Sequence, residues 1–223
     1  MLVVVGGHTR NIGKTSVVAG LIASLPEIHW TALKITQYGH DVCSADGEPC
    51  ECTVADPEHP FAITEEIDRA SGTDTGRFLA AGAQRAYWVR TADGQLGYAL
   101  PEVRRILEAG EHVIAESNSL LQFVKPDLYL VVLDFRARDF KATSLHYLDR
   151  ADALIVLDRG GTTPEWSGVG RRLWESKPRF RVQPPHWVTE DMAALVRGRL
   201  NSSTTASGAA EPRASTVLPA GGR

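Results

Sequence analysis

The stretch Leu2-Val3-Val4-Val5-Gly6-Gly7-His8-Thr9-Arg10-Asn11-Ile12-Gly13-Lys14-Thr15-Ser16 opens the chain with an apolar run, a glycine-bounded loop and a Gly-Lys-Thr triplet. A short β-branched run ending in glycines predicts a strand buried on both faces of a parallel sheet. Lys14 to Leu25 has helix-forming composition and stops before Pro26. Strand, loop and helix in that order make a phosphate-binding loop: the N–H groups of the loop and of the helix start would cradle phosphates. Lys14 would reach the β- and γ-phosphates, and the Thr15 hydroxyl would hold Mg²⁺. The candidate nucleotide-binding residues are therefore Gly7, His8, Thr9, Arg10, Asn11, Ile12, Gly13, Lys14, Thr15 and Ser16. His8 stands where the common pattern has its first glycine, and five residues, not four, separate Gly7 from Gly13.

Outward from this unit, apolar runs recur at Trp30–Ile35, Ala86–Val89, His112–Ala115, Leu128–Leu133 and Ala153–Leu157. Helices are expected over Gly76–Gln84, Pro101–Glu108, Phe140–Asp149 and Thr189–Leu200, the last with Thr189 as cap and Glu190 and Asp191 facing its positive end. Alternating strands and helices predict a doubly wound, mostly parallel α/β sheet with helices on both faces, the P-loop NTPase fold. One nucleotide-binding domain over residues 1–200 suits a chain of 223 residues. Residues 201–223, rich in Ser, Thr, Ala, Gly and Pro, read as a disordered tail.

A net charge of −3 gives no footprint for a nucleic-acid backbone, so no nucleic acid partner is expected. No apolar run is long enough to span a bilayer, and no membrane partner is expected. The three cysteines fall between Cys43 and Cys52, poor spacing for a disulfide framework, which points to a reducing cytoplasm. They lie in an inserted loop, residues 39–63, with the pattern His40-x2-Cys43-x6-Cys50-x-Cys52 and His59 beyond. Three thiolates and an imidazole suffice for a tetrahedral zinc site or an iron–sulfur cluster; the other reading is free thiols on a loop.

Ligands of open α/β sheets gather at the carboxyl ends of the strands. Lys34 and Glu116 fall there, and with Lys14 they form the candidate catalytic set. Thr15 and Glu116 are the candidate Mg²⁺ residues, and Asp41 or Asp74 would support the metal from further out. Asp134 and Asp158 end the next two strands and read as capping residues, with Asp158 and Arg159 able to border a base pocket. Arg136, Arg138 and Lys141 form a small basic cluster, and the tryptophans at 30, 88, 166, 174 and 187 read as packing or interface residues.

The Gly7-x5-Gly13-Lys14-Thr15 spacing resembles the dethiobiotin-synthetase-like branch of P-loop proteins. That branch includes the molybdopterin-guanine dinucleotide biosynthesis adaptor, a GTP-binding protein. Lys34 ending the second strand, His40-Asp41 soon after, and Gly72-Thr73-Asp74 through Arg77 to Ala80-Ala81-Gly82-Ala83 are similar to the adaptor's segments. Ile35-Thr36 replaces the histidine that follows that lysine in the adaptor, and Ser117-Asn118-Ser119 replaces the glycine after the strand-ending glutamate. The resemblance implies GTP or ATP with Mg²⁺, a cofactor-biosynthesis enzyme as partner, and a homodimer. The activities to weigh are an NTPase or nucleotide-binding adaptor, an ATP-dependent ligase or kinase acting on a small carboxylate bound by Lys34, and a nucleotide-controlled zinc or iron–sulfur carrier.

Overall fold

A computed structural model of the chain describes residues 1–38 and 60–207, with side chains as far as Ser202. The elements run β1 (Leu2–Gly7), α1 (Lys14–Ser24), β2 (Trp30–Tyr38), β3 (Phe61–Glu66), α2 (Asp74–Ala80), β4 (Arg85–Ala92) and α3 (Leu96–Ala109). β5 (His112–Glu116), β6 (Leu128–Asp134), α4 (Ala142–Tyr147), β7 (Ala153–Leu157), β8 (Arg179–Val182) and α5 (Glu190–Ser207) follow. Among the described residues the strands form one sheet in the order β3-β4-β2-β5-β1-β6-β7-β8. Every pairing is parallel except that of β3 with β4.

The expected doubly wound fold is the observed one. β1 is central and its Val3, Val4 and Val5 are inaccessible, because alternate residues enter opposite cores. On one face Val3 and Val5 pack with Val18 and Ile22 of α1, Phe78 of α2 and Met192 of α5. On the other, Val4 joins Leu96 and Val103 of α3 and the Tyr147–Leu148 end of α4. Helices therefore cover both faces.

Both edge strands were outside the sequence expectation, for one reason. β3 and β8 carry charged or polar residues at half their positions, as sheet edges do, so neither presents an apolar run. Phe61–Glu66, expected partly within the inserted loop, instead pairs antiparallel with β4, and Arg85 closes a 2.8 Å ion pair onto Glu65. α3 begins at Leu96, five residues before Pro101, so the proline lies inside the helix: the apolar stripe Leu96, Ala99, Val103 carries the helix through it, at the cost of the bond that an N–H at 101 would make to the Gly97 carbonyl. α2 and α4 are shorter than expected, and α5 continues past Leu200 to Ser207, so the first residues of the expected tail are helical. Residues 208–223 lie outside the described residues, as do His40, Cys43, Cys50, Cys52, His59 and Asp41. No helix among the described residues is long and apolar enough to cross a membrane.

Candidate active site

The loop between β1 and α1 is shaped by two left-handed residues, Asn11 (φ 53°) and Gly13 (φ 84°). Gly13 stands at the N-cap of α1 with no capping side chain, and the first turn holds no acid. The N–H groups that a cap would satisfy are thus left to an external acceptor, and the helix dipole favours an anion there. The Trp187 ring lies against the Cα of Gly13, so a side chain at 13 would strike it.

A cleft of about 740 Å³ opens over this turn, within the size range of small-molecule sites. Arg10, Asn11 and Gly13 to Ser16 line it, together with Lys34, Asp74 and Glu116. Lys14 Nζ donates to the Thr9 carbonyl at 3.0 Å. Burial of that ammonium holds its pKa below the ordinary lysine range, against the opposing pull of Glu116.

Sheet register brings the second half of the site together. Lys34 of β2 lies directly beside Glu116 of β5, and Val5 of β1 flanks Glu116 on its other side. Lys34 Nζ meets Glu116 Oε1 at 2.6 Å, and Thr15 Oγ1 donates to Glu116 Oε2 at 2.8 Å. Asp74, the first residue of α2, reaches Lys34 at 2.8 Å. Burial alone pulls Lys34 down, but Glu116 and Asp74 together outweigh it and hold the ammonium above the ordinary lysine range. Asp74 is delivered by a turn built on Glu66, whose carboxylate accepts from Asp68 N at 3.0 Å and Thr73 Oγ1 at 2.7 Å. These donors hold Glu66 at about pKa 2. Arg77 binds Ser16 Oγ at 2.9 Å and leans on Asp74 at 3.7 Å.

His8 does not face the cleft. It is inaccessible, set between Phe140 and Trp166 with ring centroids 5.0 Å from each. The Asp134 N–H donates to Nε2 at 3.0 Å, which assigns the proton to Nδ1 for donation to the Asp139 carbonyl at 2.9 Å. Lys141 N donates to the His8 carbonyl at 2.7 Å, and Thr9 Oγ1 donates to the Asp139 carboxylate. The imidazole thus replaces a glycine by bolting the loop to the segment after β6. Burial lowers its pKa from 6.5 to about 4. Between those values the unfolded chain takes up a proton that native His8 refuses. Stability present above 6.5 is therefore lost as pH falls through about 4, a swing on the order of 3 kcal/mol. Urea midpoints across this window are expected to fall steeply in the wild type and to flatten in His8→Gln.

In the sequence Asn118 marks only a departure from a glycine pattern. Its amide oxygen accepts from Gly7 N and its amide nitrogen donates to Gly7 O, each at 2.9 Å, extending the ladder past the end of β5. The close approach explains Gly6: a Cβ there would strike Asn118 Oδ1 and lie 2.8 Å from the Tyr129 hydroxyl. Gly6→Ala is expected to destabilise by about 1–3 kcal/mol through overpacking, read as a lower thermal midpoint. An amide two residues past the end of β5 is the available sequence signal for Asn118.

Of the remaining candidates, Lys141 lines the cleft, whereas Arg136 and Arg138 pair outside it with Glu165. Asp134 is buried and ion-paired with Arg159 at 3.2 Å, and Asp158 accepts from Gly160 N at 3.3 Å, a turn-capping role. No group of three or more His, Cys, Asp or Glu side chains placed to share a metal ion stands among the described residues.

No protein-family model and no curated protein match the sequence. Solved structures do resemble the fold. The hydrogenase maturation factor HypB from Archaeoglobus fulgidus is 12% identical with a TM-score of 0.50, covering 90% of this chain and 91% of that one. HypB from Helicobacter pylori, solved in complex with nickel, is 15% identical with a TM-score of 0.48, covering 90% and 87%. LpxK from Aquifex aeolicus, solved with ATP, is 19% identical with a TM-score of 0.44, covering 81% of this chain and 53% of that one. At such identity the likeness to the Archaeoglobus protein shows the fold: an α/β P-loop fold with its loop between the central strand and first helix.

Proposed function

We propose that the chain binds a Mg²⁺–nucleoside triphosphate, GTP or ATP, on the loop from Gly7 to Ser16 and hydrolyses it at the γ-phosphate. The observation that carries this is the uncapped start of α1, with Lys14 and Thr15 in its first turn and Glu116 and Lys34 facing them across the cleft. Loop N–H groups orient the phosphates, and Lys14 exchanges its neutral carbonyl partner for phosphate oxygens. Thr15 and Glu116 fit Mg²⁺: both offer hard oxygens, they stand 2.8 Å apart, and a cation, the Lys34 ammonium, already contacts both. Mg²⁺, when bound, neutralises phosphate charge and aligns the transferring group. Water adds to the γ-phosphorus as the bond to the β–γ bridging oxygen breaks, releasing nucleoside diphosphate and inorganic phosphate.

The motif resemblance supports a place for this activity in cofactor biosynthesis, as an adaptor acting on a partner enzyme. Lys34 is engaged by two carboxylates, which favours a role at the metal and phosphate over capture of a carboxylate substrate. The test is calorimetric titration with Mg-GTP and Mg-ATP in parallel. Tight binding of one of them, weakened about tenfold or more in Lys14→Ala, supports the reading and selects the base; binding of neither overturns it.

A further inference from the structure

The Lys34 ammonium touches three oxygen groups at once: Glu116 Oε1 at 2.6 Å, Asp74 Oδ2 at 2.8 Å and Thr15 Oγ1 at 3.3 Å. Two of these are the groups that fit the metal. The Lys34 and Glu116 side chains are 16% and 4% exposed, so water screens this pair weakly, while Asp74, 41% exposed, closes the cluster on its solvent side. A buried carboxylate with a second one converging on it from the cleft side calls for a cation between them. The strand register guarantees one, since Lys34 and Glu116 are paired neighbours in a parallel ladder.

We propose that Lys34 is a resident counter-cation that fills the magnesium seat until nucleotide arrives, so that divalent metal enters only together with a triphosphate. The inference rests on the phosphate-loop reading above, because the triphosphate supplies the negative charge that receives the displaced ammonium. Lysine suits this exchange. Its charge is a compact point on a flexible stem that can change partners, whereas a guanidinium fork is fixed by geometry. Arg77, 3.7 Å from Asp74, keeps a second positive charge near that carboxylate when Lys34 moves. A lysine with only a structural ion-pairing role would make a different prediction: its removal would lower stability without creating a site for metal.

The test reads metal rather than turnover. Nucleotide-free, chelator-treated full-length protein is titrated with Mn²⁺ alone, and free Mn²⁺ is followed by electron paramagnetic resonance. Wild type is expected to show no uptake at this site. Lys34→Met is expected to gain about one equivalent, bound at least tenfold more tightly than any wild-type uptake. That equivalent is expected to disappear again in Lys34→Met/Glu116→Gln, which distinguishes it from ions bound elsewhere. Lys34→Gln, which keeps a donor toward both carboxylates, carries the same expectation if the methionine variant does not fold, and a Mn²⁺-induced rise in thermal midpoint is its second readout. Equal uptake by wild type and variant, or no gain in either Lys34 variant, overturns the proposal. A parallel Mg-GTP and Mg-ATP titration of wild type separates the two readings: its failure withdraws nucleotide binding, while the Mn²⁺ arm still decides the role of Lys34.

Discussion

Lys14→Ala is expected to weaken binding of the Mg²⁺–nucleoside triphosphate by roughly tenfold to a hundredfold, the worth of one or two charge-assisted hydrogen bonds. It is not expected to lower the stability of the nucleotide-free protein. The two halves of this prediction have one cause. Lys14 is a desolvated ammonium whose partner is the neutral Thr9 carbonyl, and burial holds its pKa down. Without phosphate, the charge is a liability to the fold, so truncation relieves as much as it removes. In the proposed nucleotide complex the same charge would meet phosphate oxygens instead of a neutral carbonyl. Calorimetry reads the first half and thermal melting the second. Unchanged affinity would mean that phosphates do not sit on this loop, and a large loss of stability would mean that Lys14 holds the loop together.

Glu116→Gln is expected to act on the other quantities. Glu116 is almost fully buried and receives both the Thr15 hydroxyl and the Lys34 ammonium. The amide keeps the shape but not the charge, so Lys34 is left to Asp74, which is 41% exposed. Removing one member of a buried pair with a partial substitute remaining is expected to destabilise by about 2 kcal/mol. Turnover of bound nucleotide is expected to fall about a hundredfold or more, the usual scale for losing a group that orients or stabilises the reacting centre. Affinity for the nucleotide without Mg²⁺ should change little. Single-turnover phosphate release alongside calorimetry separates these effects: a variant that binds weakly but turns over normally would place Glu116 outside the chemistry.

Lys14 and Glu116 also differ in how they are found. Lys14 was legible because its neighbours in sequence are its neighbours in space. The strand before it, the left-handed Gly13 and the helix after it are local, and a local pattern carries its own geometry. Glu116 and Lys34 were legible as acids and bases at strand ends, but their contact was not, because it spans 82 residues and depends on the pairing of β2 with β5. In sequence His8 stands in the phosphate loop and so counts among its residues. Its orientation is set by Phe140, Trp166 and the Asp134 and Asp139 backbone, all more than a hundred residues away in sequence. Asn118 was hidden for the same reason, since its two bonds to Gly7 cross 111 residues.

By itself, then, the sequence determined the succession of the six inner strands with the helices between them, the mostly parallel sheet and the loop that opens the site. Each of these follows from periodicity, β-branching and glycine placement within a few residues. The tertiary structure alone decided the edge strands β3 and β8, whose mixed polarity becomes intelligible only at the rim of a sheet. It also decided the inward turn of His8, the Asn118 clasp on Gly7 and the closing of Lys34 between Glu116 and Asp74. These depend on register and on the packing of distant segments, and a side chain's direction and partners are set by what the folded chain brings against it.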